Sequence, residues 1–253
     1  MPSGFGQGFR TGGLGYSGFG AGFTAPALGV ATTGLVLQYD IGDSASYPGS
    51  GATVTDLAGN SNATLYNSPI YSSGYLTFDG TNQTLITNTS LASKVTTDIT
   101  SISMWAYPMD NGVLLSEVGS NALPNAAGWH DTQMEMVGGT MKFGMWAGVG
   151  IGSITSTIAT PLNNWYHFTI VYDGTTLRAY VNGTLAGTNT FARLNPIEGG
   201  AGIHYAIAAT DITNMGDGTY ANMRLGQFLV YSTALSADQV LQNFNATRST
   251  YGV

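Results

Sequence analysis

WYHFTIVYDGTTLRAYVNG, residues 165–183, decides the fold. Phe168, Ile170 and Tyr172 recur at a period of two, and so do Leu177, Ala179 and Val181, which places each set on one face of an extended strand. Asp173-Gly174 separates the two runs and Asn182-Gly183 ends the second. Such dipeptides supply the positive φ angles of two-residue hairpin turns, so the runs are expected to pair as neighbouring antiparallel strands with one face in a core.

Outward from this hairpin the same signals recur. Residues 35–39 alternate as a first strand and are followed by turn-rich YPGSG (47–51) and DLAGN (56–60). Residues 75–78 and 83–87 read as a pair joined by Asp79-Gly80-Thr81-Asn82. Strands are expected at 99–107, 113–118, 134–137 and 141–146, the last two joined by Gly138-Gly139. Residues 191–221 contain Pro196, Gly199, Gly200, Gly216 and Gly218 and lack a period, so they read as an excursion with a short strand at 203–207. A last strand, 223–232, puts Phe228 and Val230 on one face. Ser236, with Gln239 three positions on, forms a capping box that opens a short helix, and its Val240 and Phe244 are placed to pin the C-terminus onto the sheets.

Charged residues are 8% of the 253, against roughly 25% in an average globular protein, so the surface is neutral and polar. Seven basic against fourteen acidic residues give a net charge of −7, which argues against nucleic acid because phosphate binding needs clustered Lys and Arg. Cysteine is absent, which excludes disulfide frameworks and thiolate metal sites. No stretch approaches the roughly 18 apolar residues of a membrane span, and residues 1–13 do not resemble a secretory signal. Synthesis in a cytosol and use without export are the expectation.

Residues 1–25 differ from the rest. Gly recurs with Phe5, Phe9, Leu14, Tyr16, Phe19 and Phe23, and no helical or strand period fits. A run this poor in side-chain bulk builds no core of its own. Its spaced rings suit an extended arm that docks into another subunit. The expected organisation is an assembly arm at 1–25, a linker at 26–33 and a sandwich domain at 34–253.

Several segments together resemble the concanavalin A-like, laminin-G-like jelly-roll domains of tailed-bacteriophage structural proteins. They are GLVLQYD (34–40), YPGSG and DLAGN, LTFDG (76–80), ISMWA (102–106), the 165–183 stretch and LGQFLVYSTALSADQVLQNF (225–244). The sequence departs from that pattern at Val54, where a Trp often stands. The resemblance implies an all-β, antiparallel two-sheet jelly roll in an extracellular or particle-surface role. The fold is shared by lectins, adhesion modules, capsid or tail ornaments and some glycoside hydrolases.

For chemistry, retaining glycosidases need two carboxylates about 5–5.5 Å apart. The three Glu residues, Glu117, Glu135 and Glu198, show no closely spaced acidic motif, and Asp131 and Glu135 on one strand face would stand roughly 13 Å apart. No enzymatic activity is expected. His130, His167 and His204 are too scattered for a zinc motif, and His167 reads as a hydrogen-bonded sheet histidine. No cofactor is expected; calcium is the small-ligand candidate, with Asp43, Asp56, Asn60 and Asp79 as its ligands, and turn capping by the same side chains is the favoured reading. Candidate glycan-binding aromatics are Trp129, Trp146, Tyr205 and Tyr220, with Trp105 and Trp165 assigned to the core. The expected function is a virion structural protein, a capsid decoration or other exterior protein of a tailed phage, made into a homo-oligomer by its arm and presenting loops to surfaces or glycans. A carbohydrate-binding receptor-recognition module of a tail is the alternative. Expected partners are other virion proteins, copies of itself and cell-surface glycans, without nucleic acid or membrane.

Overall fold

The computed structural model describes residues 29–121, 130–148, 150–193, 202–209 and 220–253. The six aromatic and aliphatic positions of the proposed arm, and Trp129, lie outside them. Sixteen strands and one helix follow in chain order among the described residues: β1 (Leu35–Asp40), β2 (Thr53–Val54), β3 (Ala63–Tyr66), β4 (Ile70–Ser72), β5 (Tyr75–Asp79), β6 (Thr84–Thr87), β7 (Thr100–Pro108) and β8 (Gly112–Val118). Then come β9 (His130–Val137), β10 (Thr140–Trp146), β11 (Ile151–Thr155), β12 (Tyr166–Tyr172), β13 (Thr176–Val181), β14 (Thr184–Thr190), β15 (His204–Ile207), β16 (Asn222–Tyr231) and α1 (Ala237–Thr247). A 3-10 turn, Arg248–Tyr251, follows the helix.

Two antiparallel sheets form a jelly-roll-like sandwich. The first runs β14-β13-β12-β7-β16-β5-β4, with β1 also paired to β16, and the second β11-β10-β9-β8-β15-β6-β3-β2. Between them lies one large core, to which β12 gives Phe168, Ile170 and Tyr172 and β13 gives Leu177, Ala179 and Val181. The registers Phe168↔Val181, Ile170↔Ala179 and Tyr172↔Leu177 place those six side chains on one face, as the alternation requires. Phe228 and Val230 of β16 join the same core.

The turns follow their chemistry. Asn182 and Gly183 both have positive φ, 51° and 77°, and so do Gly138 and Gly139, 56° and 75°, as a two-residue primed turn demands. Asp173-Gly174 differs, because β12 ends at Tyr172 and β13 begins at Thr176, leaving a three-residue loop. The Asp173 carboxylate accepts from the Thr175 and Thr176 amides and pairs with Arg178, which stabilises the wider turn.

One expected pairing is corrected. β5 and β6 are not a hairpin: β5 pairs with β4 and β16, whereas β6 pairs with β3 and β15 in the opposite sheet. Leu76 and Phe78 reach the core from one sheet and Leu85 from the other, so the Asp79–Asn82 link arches across the sandwich.

The helix has the expected capping box, with Ser236 Oγ accepting from the Gln239 amide and the Gln239 side chain accepting from the Ser236 amide. Val240 joins Val171, Tyr180, Leu229, Tyr231 and Leu235 in a second apolar cluster on the outer face of the first sheet. Residues 29–33 pack here too. Ala31 donates its amide to Asn243 Oδ1 at 2.7 Å, and Gln242 Nε2 donates to the Gly29 carbonyl.

Candidate functional site

The helix covers only part of the outer face of the first sheet. In the rest, Arg224 on β16 stands opposite Thr77 of β5 and Tyr107 of β7. The neighbouring Tyr166↔Ala106 pair carries the antiparallel register on, so Trp165 falls opposite Tyr107. A row of Thr77, Arg224, Tyr107 and Trp165 therefore crosses four strands, all partly exposed.

Ring contacts fix the row. Trp165 meets Tyr107 at 5.6 Å and 62° and Tyr75 at 5.8 Å and 64°, both edge-to-face, and Tyr251 at 4.7 Å. Tyr251 in turn stacks on Trp105 at 4.4 Å, and Trp105 donates its indole N–H to Thr247 Oγ1. Such pairs add about 0.5–1.5 kcal/mol each beyond the area they bury, so the rings hold a set orientation. The Arg224 guanidinium lies 4.6 Å from the centroid of Tyr107 and 4.9 Å from that of Tyr75.

A depression of about 640 Å³ opens beside these rings, lined by Tyr107, Asn163, Asn164, Trp165, Asn182 and Tyr251 among others. Asn163 adopts a φ of 64° and donates its backbone N–H to the Pro108 carbonyl, which turns the chain into β12. Asn182 Oδ1 accepts from the His167 amide, and Asn164 Nδ2 donates to the Pro161 and Leu162 carbonyls. The remaining capacity, Asn182 Nδ2, Asn164 Oδ1 and the side-chain amide of Asn163, forms no hydrogen bond among the described residues. The site thus combines aromatic faces with side-chain donors and acceptors around one hollow.

Trp165 was expected in the core and is instead the centre of this exposed platform. The sequence carried the signal: Trp165 shares the phase of His167, which points away from the inter-sheet core that Phe168 enters. Trp105 is fully buried, but between the sheet and the C-terminal segment. His167 is 1% exposed, and neither ring nitrogen has a hydrogen-bond partner. The expected hydrogen-bonded histidine is therefore corrected to one packed between Trp105 and Phe244. Burial pushes its pKa down from 6.5 to about 3, so the ring is neutral.

Of the expected glycan aromatics, Trp129 lies outside the described residues, and Trp146, Tyr205 and Tyr220 are not brought together. Tyr205 is fully buried, stacks edge-on against Phe228 and donates to Glu117, so its place in an exposed platform is corrected. Trp146 is half-buried on β10, and its amide donates to Asp131 at the Glu117 end of β8. Tyr220 lies at the other end of β8, its carbonyl pressed against Gly112.

The candidate calcium ligands cap turns, as the favoured reading of these side chains has it. Asp56 accepts from the Gln38, Ala58, Asn60 and Ser61 amides at 2.7–3.0 Å, which occupies both carboxylate oxygens. Asp43 caps Ala45 and Asp79 caps Thr81, while Asn60 donates to the Val36 carbonyl. Among the described residues no three His, Asp or Glu side chains converge as a metal site.

A polar cluster that the sequence reading missed lies between the sheets. Arg193 Nη2 donates to Glu117 Oε1 at 2.6 Å, both side chains 1% exposed, and Gln133 and Tyr205 donate to Glu117 Oε2. Asp131 pairs with Glu117 across β8 and β9. A bulge at Gln133 shifts the register, so that Met134 and Met136 face the core and Glu135 does not share the face of Asp131. Burial, then the Glu117 charge, push the Asp131 pKa from 3.8 up to about 7, against the pull of Arg193.

Residues 78–241, well over half of the chain, match the model of the concanavalin A-like lectin/glucanases superfamily. The chain belongs to this superfamily. Among solved structures it is similar to Trypanosoma rangeli sialidase in complex with sialic acid, at 14% identity and a TM-score of 0.62, over 87% of this chain and 34% of the other. It is similar also to the binding domain of botulinum neurotoxin serotype D/C (16% identity, TM-score 0.57, 84% and 52% covered) and to that of Paraclostridial Mosquitocidal Protein 1 (18%, 0.58, 84% and 52%). The concanavalin A-like chain thus spans about a third of the sialidase and half of the toxin domains. No curated protein matches it in sequence. The sialidases overturn the expectation of no enzymatic activity, which rested on the spacing of the carboxylates, since catalysts and binding domains both appear among the matches.

Proposed function

We propose that this concanavalin A-like sandwich binds carbohydrate on the Trp165 platform. The observation that carries the reading is one hollow combining the partly exposed Trp165, Tyr107 and Tyr251 rings with Asn163, Asn164 and Asn182. Sugar rings present apolar faces to aromatic side chains and hydroxyl edges to amides, and pockets with a few placed polar groups fix orientation. The matched structures support the ligand class: one is a sialidase holding sialic acid, and another concerns botulinum neurotoxin type C, whose cell entry depends on two ganglioside molecules. On a glycan array the wild-type chain is expected to bind, Trp165→Ala to lose binding, and Trp146→Ala to retain it. Binding unchanged by Trp165→Ala would refute the site.

The resemblance of the sequence segments to tailed-phage proteins supports a place on a virion surface, with residues 1–25 as the attachment to other virion proteins or to copies of the chain. Many fixed copies would turn weak glycan contacts into adhesion. The aromatic hollow would serve adhesion in either setting, a capsid decoration or a receptor-recognition component of a tail. Deleting residues 2–24 should leave a folded, glycan-binding domain that no longer enters particles; retained incorporation would refute the arm.

A further inference from the structure

Arg224 is a charge without a counter-charge. Of the other two arginines on this sandwich's strands and their extensions, Arg178 pairs with Asp173 and Arg193 with Glu117. Arg224 forms no ion pair or hydrogen bond among the described residues, and its Nε is buried without a partner. Its guanidinium is held between the Tyr75 and Tyr107 rings, 4.9 and 4.6 Å from their centroids. Its guanidinium is an uncompensated cation in a chain of net charge −7. Stacking between rings also holds the planar fork at little further entropic cost, which prepares it for an oxyanion.

Position ties the cation to the platform. Arg224 and Trp165 flank Tyr107 in one cross-strand row, so they stand two strand spacings apart, roughly 10 Å. A sugar stacked on Trp165 with an acidic neighbour along the row would meet both. We infer that the ligand of this site is an acidic glycan, whose carboxylate or sulfate is bound by Arg224 while a neighbouring ring stacks on Trp165. The inference rests on the platform reading and adds the charge of the ligand. Carboxylate offers the two-oxygen edge that matches the guanidinium fork; sulfate offers the same oxygens in a tetrahedral array.

The test uses the full chain on an array of neutral, carboxylated and sulfated oligosaccharides, with Arg224→Gln, Arg224→Lys and Trp165→Ala beside wild type. Thermal melts of each variant confirm folding. Wild type is expected to prefer acidic members, with affinity falling as salt rises. Arg224→Gln should weaken acidic binding about ten- to a hundredfold, and Arg224→Lys, which keeps charge without the fork, should recover part of it. Preference for the carboxylated or the sulfated set names the source of the anion. Neutral glycans bound equally by wild type and Arg224→Gln but lost in Trp165→Ala would overturn the acidic inference and leave the platform standing. Binding insensitive to both substitutions, or no binding at all, would overturn both.

Discussion

Gly226 lies directly beneath the ring of Tyr251, so close that a Cβ at 226 would collide with the phenol. Gly226 sits at the bulge where the β16 register on β7 shifts between Leu225 and Gln227. The missing side chain lets Tyr251 settle onto the sheet, where it touches both Trp105 and Trp165. The platform therefore depends on a backbone position that never faces the hollow.

Gly226→Ala should lift Tyr251 and loosen the Arg248–Tyr251 turn, with a cost of about 1–3 kcal/mol as for other overpacked sites. Denaturant unfolding measures the stability. Trp fluorescence should change in parallel, because Trp105 and Trp165 both lose their Tyr251 contact.

Breaking the interior ion pair should be more damaging. Glu117→Gln leaves Arg193 buried and under-compensated, and removing one partner of a buried pair costs about 3–5 kcal/mol. Arg193→Met with Glu117→Leu removes both charges and should cost less than Glu117→Gln alone. A double variant less stable than the single one would contradict this reading of the cluster.

Two buried groups give opposite pH dependences. The native Asp131 holds its proton up to about pH 7, whereas the unfolded chain releases it near 3.8. Its contribution to stability is therefore lost as pH rises from about 4 through 7. His167 is depressed to about 3 from 6.5, so its contribution is lost as pH falls from 6.5 towards 3. The two oppose each other between about pH 4 and 6.5. Asp131→Asn should leave a stability that only falls on acidification below 6.5, and His167→Phe one that rises on acidification towards pH 4. Urea midpoints across pH 4–8 check both slopes.

Much of the sandwich was legible because alternation and turn chemistry act locally. β12, β13, the Gly138-Gly139 hairpin and the Ser236 cap follow from a few adjacent residues. The β5 to β6 link was misread because Asp79-Gly80-Thr81-Asn82 has hairpin chemistry, while the choice of sheet depends on partners as distant as β15 and β16. β4 is exposed at all three positions and β14 alternates only weakly, so neither edge strand carried a clear period. The Glu117, Asp131 and Arg193 cluster unites residues 76 positions apart in sequence and shows no motif. Trp165 was the readable residue of the site, through its phase with His167, but a tryptophan beside an apolar strand reads as core unless that phase is followed.

Ser236→Ala should cost about 1 kcal/mol by removing the acceptor of the Gln239 amide. Hydrogen exchange localises the effect: protection should fall in α1 and in Val240's cluster under it, while β8 and β9 remain unchanged. Equal loss in both regions would mean that the helix is not a separately stabilised cover.

The central claim, that the outer-face platform is the carbohydrate site, is tested most directly by a crystal structure of the chain with the best-binding array oligosaccharide. The account predicts a sugar ring stacked on the Trp165 indole, hydroxyls on Asn163, Asn164 or Asn182, and an acidic group at Arg224. An oligosaccharide bound elsewhere, with Trp165 and Arg224 untouched, would contradict it.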